Sequence, residues 1–342
     1  MSGVPVVSVV IPARDEEQVI AGCLQALRGQ SVGAARMQVV VVVAGTDQTA
    51  AIATREGSGQ FGRFEVVHLE TGNKNVALQV GCRHVQADVV VLLDADTEPE
   101  FDAIAELLHV LASDPHSVVH GAALPRIDTW VSRYWELNRK LVKDLHFDGN
   151  LSGEMVALPR PALAPGDLMQ LFPFDVSAQD DLHLGRMLRQ RGWRIVYAPR
   201  ARATTLAPWT LRGLVVTMLR SRRGLMRILP LFDAATQAAK SALLVAAVPA
   251  AWLTWRWSKG LAFICLAPLL LHAMALTRQV DCLRQRRLGD FRPAVPAFLA
   301  LDLVGRGLKL WAFVERLAGR TRAVPFRGER PSADRFARAS AS

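Results

Sequence analysis

The feature that most constrains this chain is the apolar run Val89–Leu93, which leads directly into Asp94-Ala95-Asp96. Five branched apolar residues in succession predict a strand that is buried on both faces, as in a parallel sheet. Open α/β sheets bind their ligands at the carboxyl ends of such strands, which is where the two aspartates stand. Carboxylates one residue apart can share a hard divalent cation, and such a cation usually coordinates phosphate oxygens as well. The pattern therefore predicts an α/β fold with a metal and phosphate site after this strand.

A structural role for the same acids stays open from this segment alone. Thr97, Glu98 and Pro99 suit the start of a helix, and a helix N-terminus favours acidic residues. An acidic pair in that position needs no ligand to explain it.

Apolar runs alternate with helix-compatible stretches through the first two thirds of the chain. This rhythm predicts a mostly parallel, Rossmann-like sheet flanked by helices. The predicted strands are residues 6–11, 39–44, 64–69, 89–93, 117–122, 151–158 and 193–198, and helices are expected from about Glu16, Thr49 and Val76 and over 178–191.

The charge is concentrated in the C-terminal part of the chain. The formal net charge is +10, and residues 278–342 alone carry 14 Lys or Arg against 6 Asp or Glu. This distribution indicates a tail that faces anionic lipid, and we expect no nucleic-acid partner. The four cysteines form no CxxC pair, which favours reduced thiols and a cytosolic catalytic domain. Because a strand pattern starts at Val6, no signal peptide is expected.

Two uncharged runs, residues 241–255 and 260–277, suggest membrane association. A transmembrane hairpin, a re-entrant loop and a buried helical hairpin all fit their lengths. Membrane insertion is favoured because Trp252, Trp255 and Trp257 cluster as an aromatic belt would. Basic residues on both flanks place both ends of the hairpin on the cytosolic side. Residues 295–314 are typical of an interfacial amphipathic helix, and a disordered basic tail is expected from residue 321.

Polar residues also follow the other predicted strands. They are Pro12 to Glu17 after the first strand, Gly45-Thr46-Asp47 after the second and Gly72-Asn73-Lys74-Asn75 after the third. Each group alone is ordinary turn chemistry. Because the carboxyl ends of parallel strands share one edge, these loops would surround one crevice, and their carboxylates and cation suit a nucleoside diphosphate.

Several of these segments resemble the nucleotide-sugar half of the family-2 glycosyltransferases, which have the GT-A fold. The similar stretches are Val-Ser-Val-Val-Ile-Pro-Ala-Arg-Asp-Glu-Glu at 7–17, the Asp47 turn, Lys-Asn-Val-Ala-Leu at 74–78 and Asp-Ala-Asp at 94–96. Downstream, residues 151–160 and 179–194 are similar to the acceptor-side strand and to the Thr-Glu-Asp-Leu helix start of that family. The resemblance covers roughly residues 5–225. It implies a catalytic domain, which we expect over 1–235. The composition of the remaining chain predicts a membrane-associated helical region over 236–320 and a basic tail over 321–342.

The resemblance also implies roles for individual residues. Asp181 would be the general base, with Asp180 beside it, and Asp94 and Asp96 would hold Mg²⁺ or Mn²⁺. The residues expected to bind the nucleotide-sugar are Pro12, Ala13, Arg14, Glu16, Asp47, Lys74, Asp94, Ala95 and Asp96. Gly153, Arg220 and Arg222 are expected on the side of the acceptor and the diphosphate.

One departure bears on the type of transfer. Processive members of the family carry Gln-x-x-Arg-Trp, whereas residues 219–223 read Leu-Arg-Ser-Arg-Arg and only Arg222 matches. We therefore expect an inverting transfer of a single sugar, from a UDP-sugar to a lipid or lipid-linked acceptor at the cytoplasmic membrane face. The alternatives are a soluble or peripheral glycosyltransferase acting on a small natural product, a nucleotidyltransferase, and a non-catalytic nucleotide-sugar binder.

Overall fold

The computed structural model describes residues 6–70, 72–175 and 179–320. The described residues form two compact units. The first comprises the residues up to Arg126 together with Phe147–Ala207, and the second comprises Ile127–His146 and the residues from Pro208 onward. The second unit resumes at Pro208, which is earlier in the chain than the domain boundary expected at residue 235. The expected tail over 321–342 lies outside the described residues.

The first unit is built on one eight-stranded sheet. Its strands are β1 (Val7–Arg14), β2 (Met37–Ala44), β3 (Arg63–Leu69), β4 (Val89–Leu93), β5 (Glu98–Pro99), β6 (Ser117–Pro125), β7 (Met155–Pro159) and β8 (Arg194–Thr205). The strand order is β3-β2-β1-β4-β7-β6-β8-β5. Strands β1 to β4 pair in parallel, whereas β7 is antiparallel to β4 and β6. The carboxyl ends of the four parallel strands therefore meet at one edge of the sheet.

Helices cover both faces of this sheet. They are α1 (Ile20–Arg28), α2 (Thr49–Gly57), α3 (Lys74–Arg83), α4 (Ala103–Ser113), α6 (Leu168–Leu171) and α7 (Asp180–Gln190). Side chains alternate between the two faces of each strand, so Val9 and Ile11 pack with α1 and α4 while Val10 packs with α3 and α7. Both clusters are fully buried, which explains why the strands are continuous apolar runs rather than alternating ones.

The residues after the acidic pair do not begin a helix. Glu98 and Pro99 form β5, which pairs with Thr204 and Ala203 of β8, and the next helix starts at Ala103. The helix-start interpretation of 97–99 is therefore wrong, because pairing with a distant strand competes with the local helix preference. β8 likewise extends to Thr205, well beyond the predicted end at residue 198.

The second unit consists of helices. They are α5 (Trp130–Lys140), α8 (Leu211–Ile228), α9 (Leu231–Trp255), α10 (Lys259–Gln285) and α11 (Val295–Leu317). Its core joins Tyr134 of α5, Met218 of α8, Leu276 of α10 and Phe298 of α11. The helix predicted over 295–314 is confirmed as α11, and its place at a membrane interface stays a prediction.

Helices α9 and α10 are long and apolar enough to cross a membrane by length and composition. Within the protein, only 28% of the most apolar stretch of α9 and 11% of that of α10 is buried. Trp252 is 76% exposed and Trp257 88% exposed. Apolar surface left exposed on this scale is unusual in a soluble monomer.

Candidate active site

The loops after β1 and β2 are joined by hydrogen bonds. The backbone N–H of Glu16 donates to Thr49 Oγ1 at 2.7 Å, and that of Thr46 donates to Asp15 Oδ1 at 3.3 Å. Gly45 has a φ of 106°, and a Cβ added there would lie 2.1 Å from Asp15 Oδ1. Glycine is required at this position, because the two loops approach too closely for a side chain.

Asp47 connects the same two loops through its carboxylate. Oδ1 accepts hydrogen bonds from the Thr49 backbone N–H at 3.0 Å and the Thr49 hydroxyl at 2.5 Å, and Oδ2 accepts from the Glu17 N–H at 3.2 Å. These contacts hold the start of α2 against the loop after β1. They give Asp47 a structural role beside the base contact that the resemblance implies.

The end of β1 also contacts the loop after β3. Pro12 and Ala13 lie within β1 in register with Val42 and Val43 of β2. The exposed Arg14 guanidinium donates to the Gly72 carbonyl oxygen at 2.9 Å. The loops after the first three strands are thus in direct contact, as the crevice interpretation requires.

Lys74 links the third loop to the acids after β4 and to the start of α7. Its Nζ lies 2.6 Å from Asp94 Oδ1 and 3.5 Å from Asp180 Oδ2. Asn73 caps α3 ahead of it, accepting from the N–H groups of Asn75 and Val76. The cap fixes the first turn of α3 and with it the backbone from which Lys74 extends.

The segment that leads towards α7 is held by α3. The side-chain amides of Asn73, Asn75 and Gln79 donate to the carbonyl oxygens of Phe174, Pro173 and Phe172 at 2.9, 2.7 and 2.6 Å. Gln179, directly before the acidic pair of α7, has a left-handed φ of 66°. Strained backbone of this kind persists only where the surroundings hold it, and it is concentrated at functional sites.

Asp96 is held through both its backbone and its side chain. Its carbonyl oxygen accepts a 2.6 Å hydrogen bond from Arg126 Nη2, and its Oδ1 accepts one from the Thr205 hydroxyl at 3.3 Å. Arg126 Nη1 also lies 3.0 Å from Glu98 Oε1. Ala95, between the two aspartates, is buried in the core beside β4. The orientation of the acidic pair is therefore set by β5, by β8 and by the residue that follows β6.

Burial governs the protonation of these acids. Burial, together with the nearby charge of Asp96, raises the pKa of Asp94 to about 7, although Lys74 opposes the shift. The pKa of Asp96 is also raised by burial, against the attraction of Lys74 and Arg126. Burial alone would lower the pKa of Lys74, but attraction by Asp180 and Asp94 raises it. The site holds more negative charge than its own cations neutralise.

Asp181 lies next to the end of the loop before β7. A Cβ added at Gly153 would lie 3.2 Å from Asp181 Cβ, so the glycine leaves room for the carboxylate. Asp181 Oδ1 accepts a 2.8 Å hydrogen bond from the Leu182 N–H. Burial, followed by repulsion from Asp180 and Glu154, raises the pKa of Asp181 to about 6. A carboxylate with a raised pKa beside an open position is suited to accept a proton.

The donor set fits a divalent cation that shares its ligands with a substrate. In the described parts of the chain no group of three or more His, Cys, Asp or Glu could hold a metal ion. Asp94 and Asp96 offer two carboxylates, and burial raises the pKa of each although Lys74 opposes the shift. Mg²⁺ is commonly bound by one or two carboxylates plus substrate phosphate. Such a cation would fit here with a nucleotide supplying the remaining ligands.

Arg220 and Arg222 belong to α8 in the second unit. Arg222 is packed among residues of α5 and α11. The neighbouring Arg223 pairs with Glu315, with a distance of 2.6 Å between Nε and Oε2. The first unit thus contains the expected nucleotide and base residues, and these two arginines are part of the helical unit.

Three further residues of the site were not identified by sequence analysis. Arg126 follows β6 in a stretch without recognisable pattern, Thr205 ends β8, and Glu154 follows Gly153. Glu154 accepts the Asp94 N–H through its carbonyl oxygen at 3.0 Å, and its carboxylate acts on the pKa of Asp96 and Asp181. Glu154 directly follows Gly153 of the acceptor-side strand motif, and this position is the sequence feature that could have identified Glu154 as a site residue.

The chain is similar in sequence to curated glycosyltransferases over about two thirds of its length. The chain is 27% identical over 247 residues to an N-acetylglucosaminyltransferase of Bradyrhizobium diazoefficiens, a match that covers 66% of this chain and 50% of that protein. It is 26% identical over 243 residues to an N-acetylglucosaminyltransferase of Rhizobium meliloti, covering 65% of this chain and 56% of the relative. The chain therefore spans about half the length of the curated relatives it matches.

A solved structure shares the fold over nearly the whole chain. The mannosyltransferase PcManGT from Pyrobaculum calidifontis, in complex with GDP-Man and Mn²⁺, superposes with a TM-score of 0.58. The two are 21% identical, and the match covers 92% of this chain and 88% of that chain. The predicted GT-A fold, with C-terminal apolar helices, is confirmed.

The family model described as glycosyltransferase-like family 2 matches residues 5–224, which is more than half of the chain. The protein belongs to the glycosyltransferase-like family 2.

Proposed function

We propose that this protein transfers a single sugar from a nucleotide-sugar to an acceptor hydroxyl, with inversion at the anomeric carbon. The observation that carries the proposal is the position of Lys74, which contacts Asp94 at the nucleotide side and Asp180 at the start of α7. One cation thereby joins the two acidic groups that a sugar transfer needs.

In this proposal Asp181 acts as the general base. The acceptor oxygen attacks the anomeric carbon as the bond from that carbon to the diphosphate oxygen breaks, and Asp181 takes the hydroxyl proton. The lack of a side chain at Gly153 leaves room for Asp181, and the raised pKa of Asp181 favours proton transfer near neutral pH. A single displacement of this kind inverts the configuration.

Asp94 and Asp96 would hold Mg²⁺ or Mn²⁺, which would supply positive charge to the departing diphosphate. The contacts of Arg126 and Thr205 to Asp96 keep one ligand oriented. Lys74 would neutralise part of the same charge from the other side. Pro12, Ala13, Arg14, Glu16 and Asp47 would bind the base and the ribose at the ends of β1 and β2.

The names of the curated relatives support N-acetylglucosamine as the transferred sugar. UDP is the carrier that we propose for it. The chain matches only about half of the length of these relatives, so their sugar is extended to this chain as a proposal.

The acceptor is proposed to be a lipid or a lipid-linked sugar at the cytoplasmic face of the membrane. Helices α9 and α10 leave large apolar side chains exposed, including Trp252, Phe263 and Ile264. Exposed surface of this composition is stable in a bilayer and costly in water. The basic residues on both flanks favour a cytosolic catalytic domain.

The test is release of nucleoside diphosphate by the full chain purified in detergent. UDP-N-acetylglucosamine, other UDP-sugars and GDP-mannose would be supplied with a membrane lipid extract, with Mn²⁺ or EDTA. We expect Mn²⁺-dependent, lipid-stimulated release from one donor, and loss of release in Asp96→Ala and Asp181→Asn without unfolding. Asp88→Asn is the matched control, because the Asp88 side chain is 95% exposed.

Each alternative function has its own outcome in this assay. Pyrophosphate as the product would identify a nucleotidyltransferase. Donor binding without turnover by any extract would identify a nucleotide-sugar binder. Turnover by protein that stays in the aqueous phase without detergent would overturn the membrane assignment.

A further inference from the structure

A group of half-buried cations lies within the helical second unit. Asp302, Arg306 and Lys309 are spaced four and three residues apart on α11, so their side chains share one face of that helix. Arg222 of α8 lies against the same face, since a Cβ added at Gly305 would be 3.9 Å from Arg222 Nη2. We name Arg222, Arg306 and Lys309 the cation cluster.

The one carboxylate in this group is already engaged. Asp302 Oδ2 accepts from Arg306 Nε at 2.7 Å and lies 2.9 Å from His272 Nε2 of α10. Lys309 Nζ donates to a neutral amide, Gln237 Oε1 of α9, at 3.3 Å. One carboxylate therefore faces three permanent or near-permanent cations.

Arg222 has no partner at all in the described part of the chain. No hydrogen bond or ion pair reaches its guanidinium, and its Nε is shielded from solvent. Burial lowers the pKa of Arg222, and Arg306 lowers it further, against the attraction of Tyr134 and Asp302. Burial, with repulsion from Arg222 and Arg306, lowers the pKa of Lys309 to about 8. Charges that are shielded from solvent are normally paired, and Asp302 alone does not compensate three cations.

We propose that the cation cluster binds a phosphate group carried by a membrane lipid. A guanidinium fork suits the paired oxygens of phosphate, and a lysine adds a compact charge. The lipid source follows from the elements that surround the cluster, because Gln237 and His272 belong to α9 and α10, the two apolar helices. That the lipid is the sugar acceptor rests on the proposed function, whereas binding of the phosphate does not.

The experiment measures binding on the full chain in a zwitterionic detergent, without any sugar donor. The probes are dihexanoyl phosphatidic acid, dihexanoyl phosphatidylcholine and inorganic phosphate, and the readout is the shift in thermal unfolding midpoint with probe concentration. We expect a saturable rise with phosphatidic acid and none with phosphatidylcholine. Arg222→Gln and Lys309→Gln should each weaken phosphatidic acid binding about tenfold or more. Arg212→Gln, which removes an exposed charge from the same helix α8, should leave binding unchanged.

A second measurement separates a binding role from a structural one. Because the described residues give Arg222 no hydrogen bond or ion pair, Arg222→Met should keep or raise the unfolding midpoint without probe. A fall of several degrees would show that Arg222 stabilises the helical unit itself, and would overturn the proposal.

The remaining outcomes are equally decisive. Saturation by inorganic phosphate as tightly as by phosphatidic acid would assign a free phosphate and overturn the lipid source. Equal phosphatidic acid affinity in the wild-type protein and Arg222→Gln would overturn the site. Loss of sugar transfer in Asp181→Asn with phosphatidic acid binding retained would separate this site from the catalytic one.

Discussion

The Lys74 ammonium lies 3.5 Å from Asp180 while making a 2.6 Å contact with Asp94. Asp94 follows β4 and Asp180 begins α7, so one side chain from the first turn of α3 joins two distant acidic segments. Lys74 thereby stabilises charges that would otherwise repel one another, and it does so at the position proposed for the donor diphosphate.

Replacing Lys74 by methionine should lower sugar transfer by about 100-fold or more, because a preorganised cation at developing charge is lost. The measurement is kcat/KM for the donor with saturating Mn²⁺. Arg83→Met, at the far end of the same helix, serves as the control. Retention of wild-type kcat/KM in Lys74→Met would remove the lysine from the site.

Without metal, the free energy of unfolding of Asp94→Asn, relative to that of the wild type, should be higher at pH 8 than at pH 4.5. The pKa of Asp94 is raised to about 7 in the folded protein from 3.8, so its stabilising protonation is lost as the pH rises through that interval. Asparagine does not ionise, so the variant loses no stability in this way as the pH rises. We expect the stability difference between variant and wild type to grow by about 3 kcal/mol over this range, as measured by denaturant unfolding in EDTA. A difference that does not change with pH would contradict the raised pKa.

The pH dependence of kcat/KM should follow the ionisation of the Asp181 carboxyl group. A general base must be ionised, and burial raises the pKa of Asp181 to about 6. We therefore expect kcat/KM to rise with pH to a plateau above about 7, with half of the plateau value near pH 6. Profiles would be recorded at constant ionic strength and saturating metal. A flat profile between pH 5 and 8 would exclude this carboxylate as the base.

Gly153→Ala should lower kcat with little change in the donor KM. The added methyl would lie 3.2 Å from Asp181 Cβ, so the aspartate must shift by a few tenths of an ångström. Small displacements of a catalytic group reduce rate strongly, and we expect about a tenfold loss. Gly166→Ala is the control, because a Cβ there meets nothing within 4 Å. Equal kinetics in the two variants would show that Gly153 does not govern the position of Asp181.

Arg126→Gln should raise the Mn²⁺ concentration needed for half-maximal activity by about tenfold. Arg126 holds the Asp96 carbonyl oxygen at 2.6 Å and lies 3.0 Å from Glu98, so its loss frees the acidic segment, and residues that orient metal ligands contribute on this scale. Titration of activity with Mn²⁺ measures the effect. Arg202→Gln removes a more exposed ion pair with Glu100 on β8 and should change nothing. An unchanged Mn²⁺ requirement in Arg126→Gln would show that Asp96 is positioned without it.

The amino-acid sequence by itself determined the strands and the loops that follow them. Val89–Leu93 and β2 are unbroken apolar runs, and such runs have few alternatives to a buried parallel strand. Once the strands are known, parallel pairing places the loop residues Asp47, Lys74 and Asp94 at one edge. The residues that we propose for the nucleotide side could therefore be chosen from local pattern.

Only the tertiary structure decided how the acids are held and which cations lie near them. Arg126, Thr205 and Glu154 reach the site because β6, β8 and β7 pair across long separations in sequence, and no local pattern encodes that pairing. The same cause made 97–99 a strand rather than a helix start. Arg222 matches one residue of a family motif, yet only the packing of α5, α8 and α11 shows that residues 179–320 offer it no ion pair. Local patterns report the intrinsic preferences of the backbone, whereas burial and charge compensation are set by residues far apart in the chain.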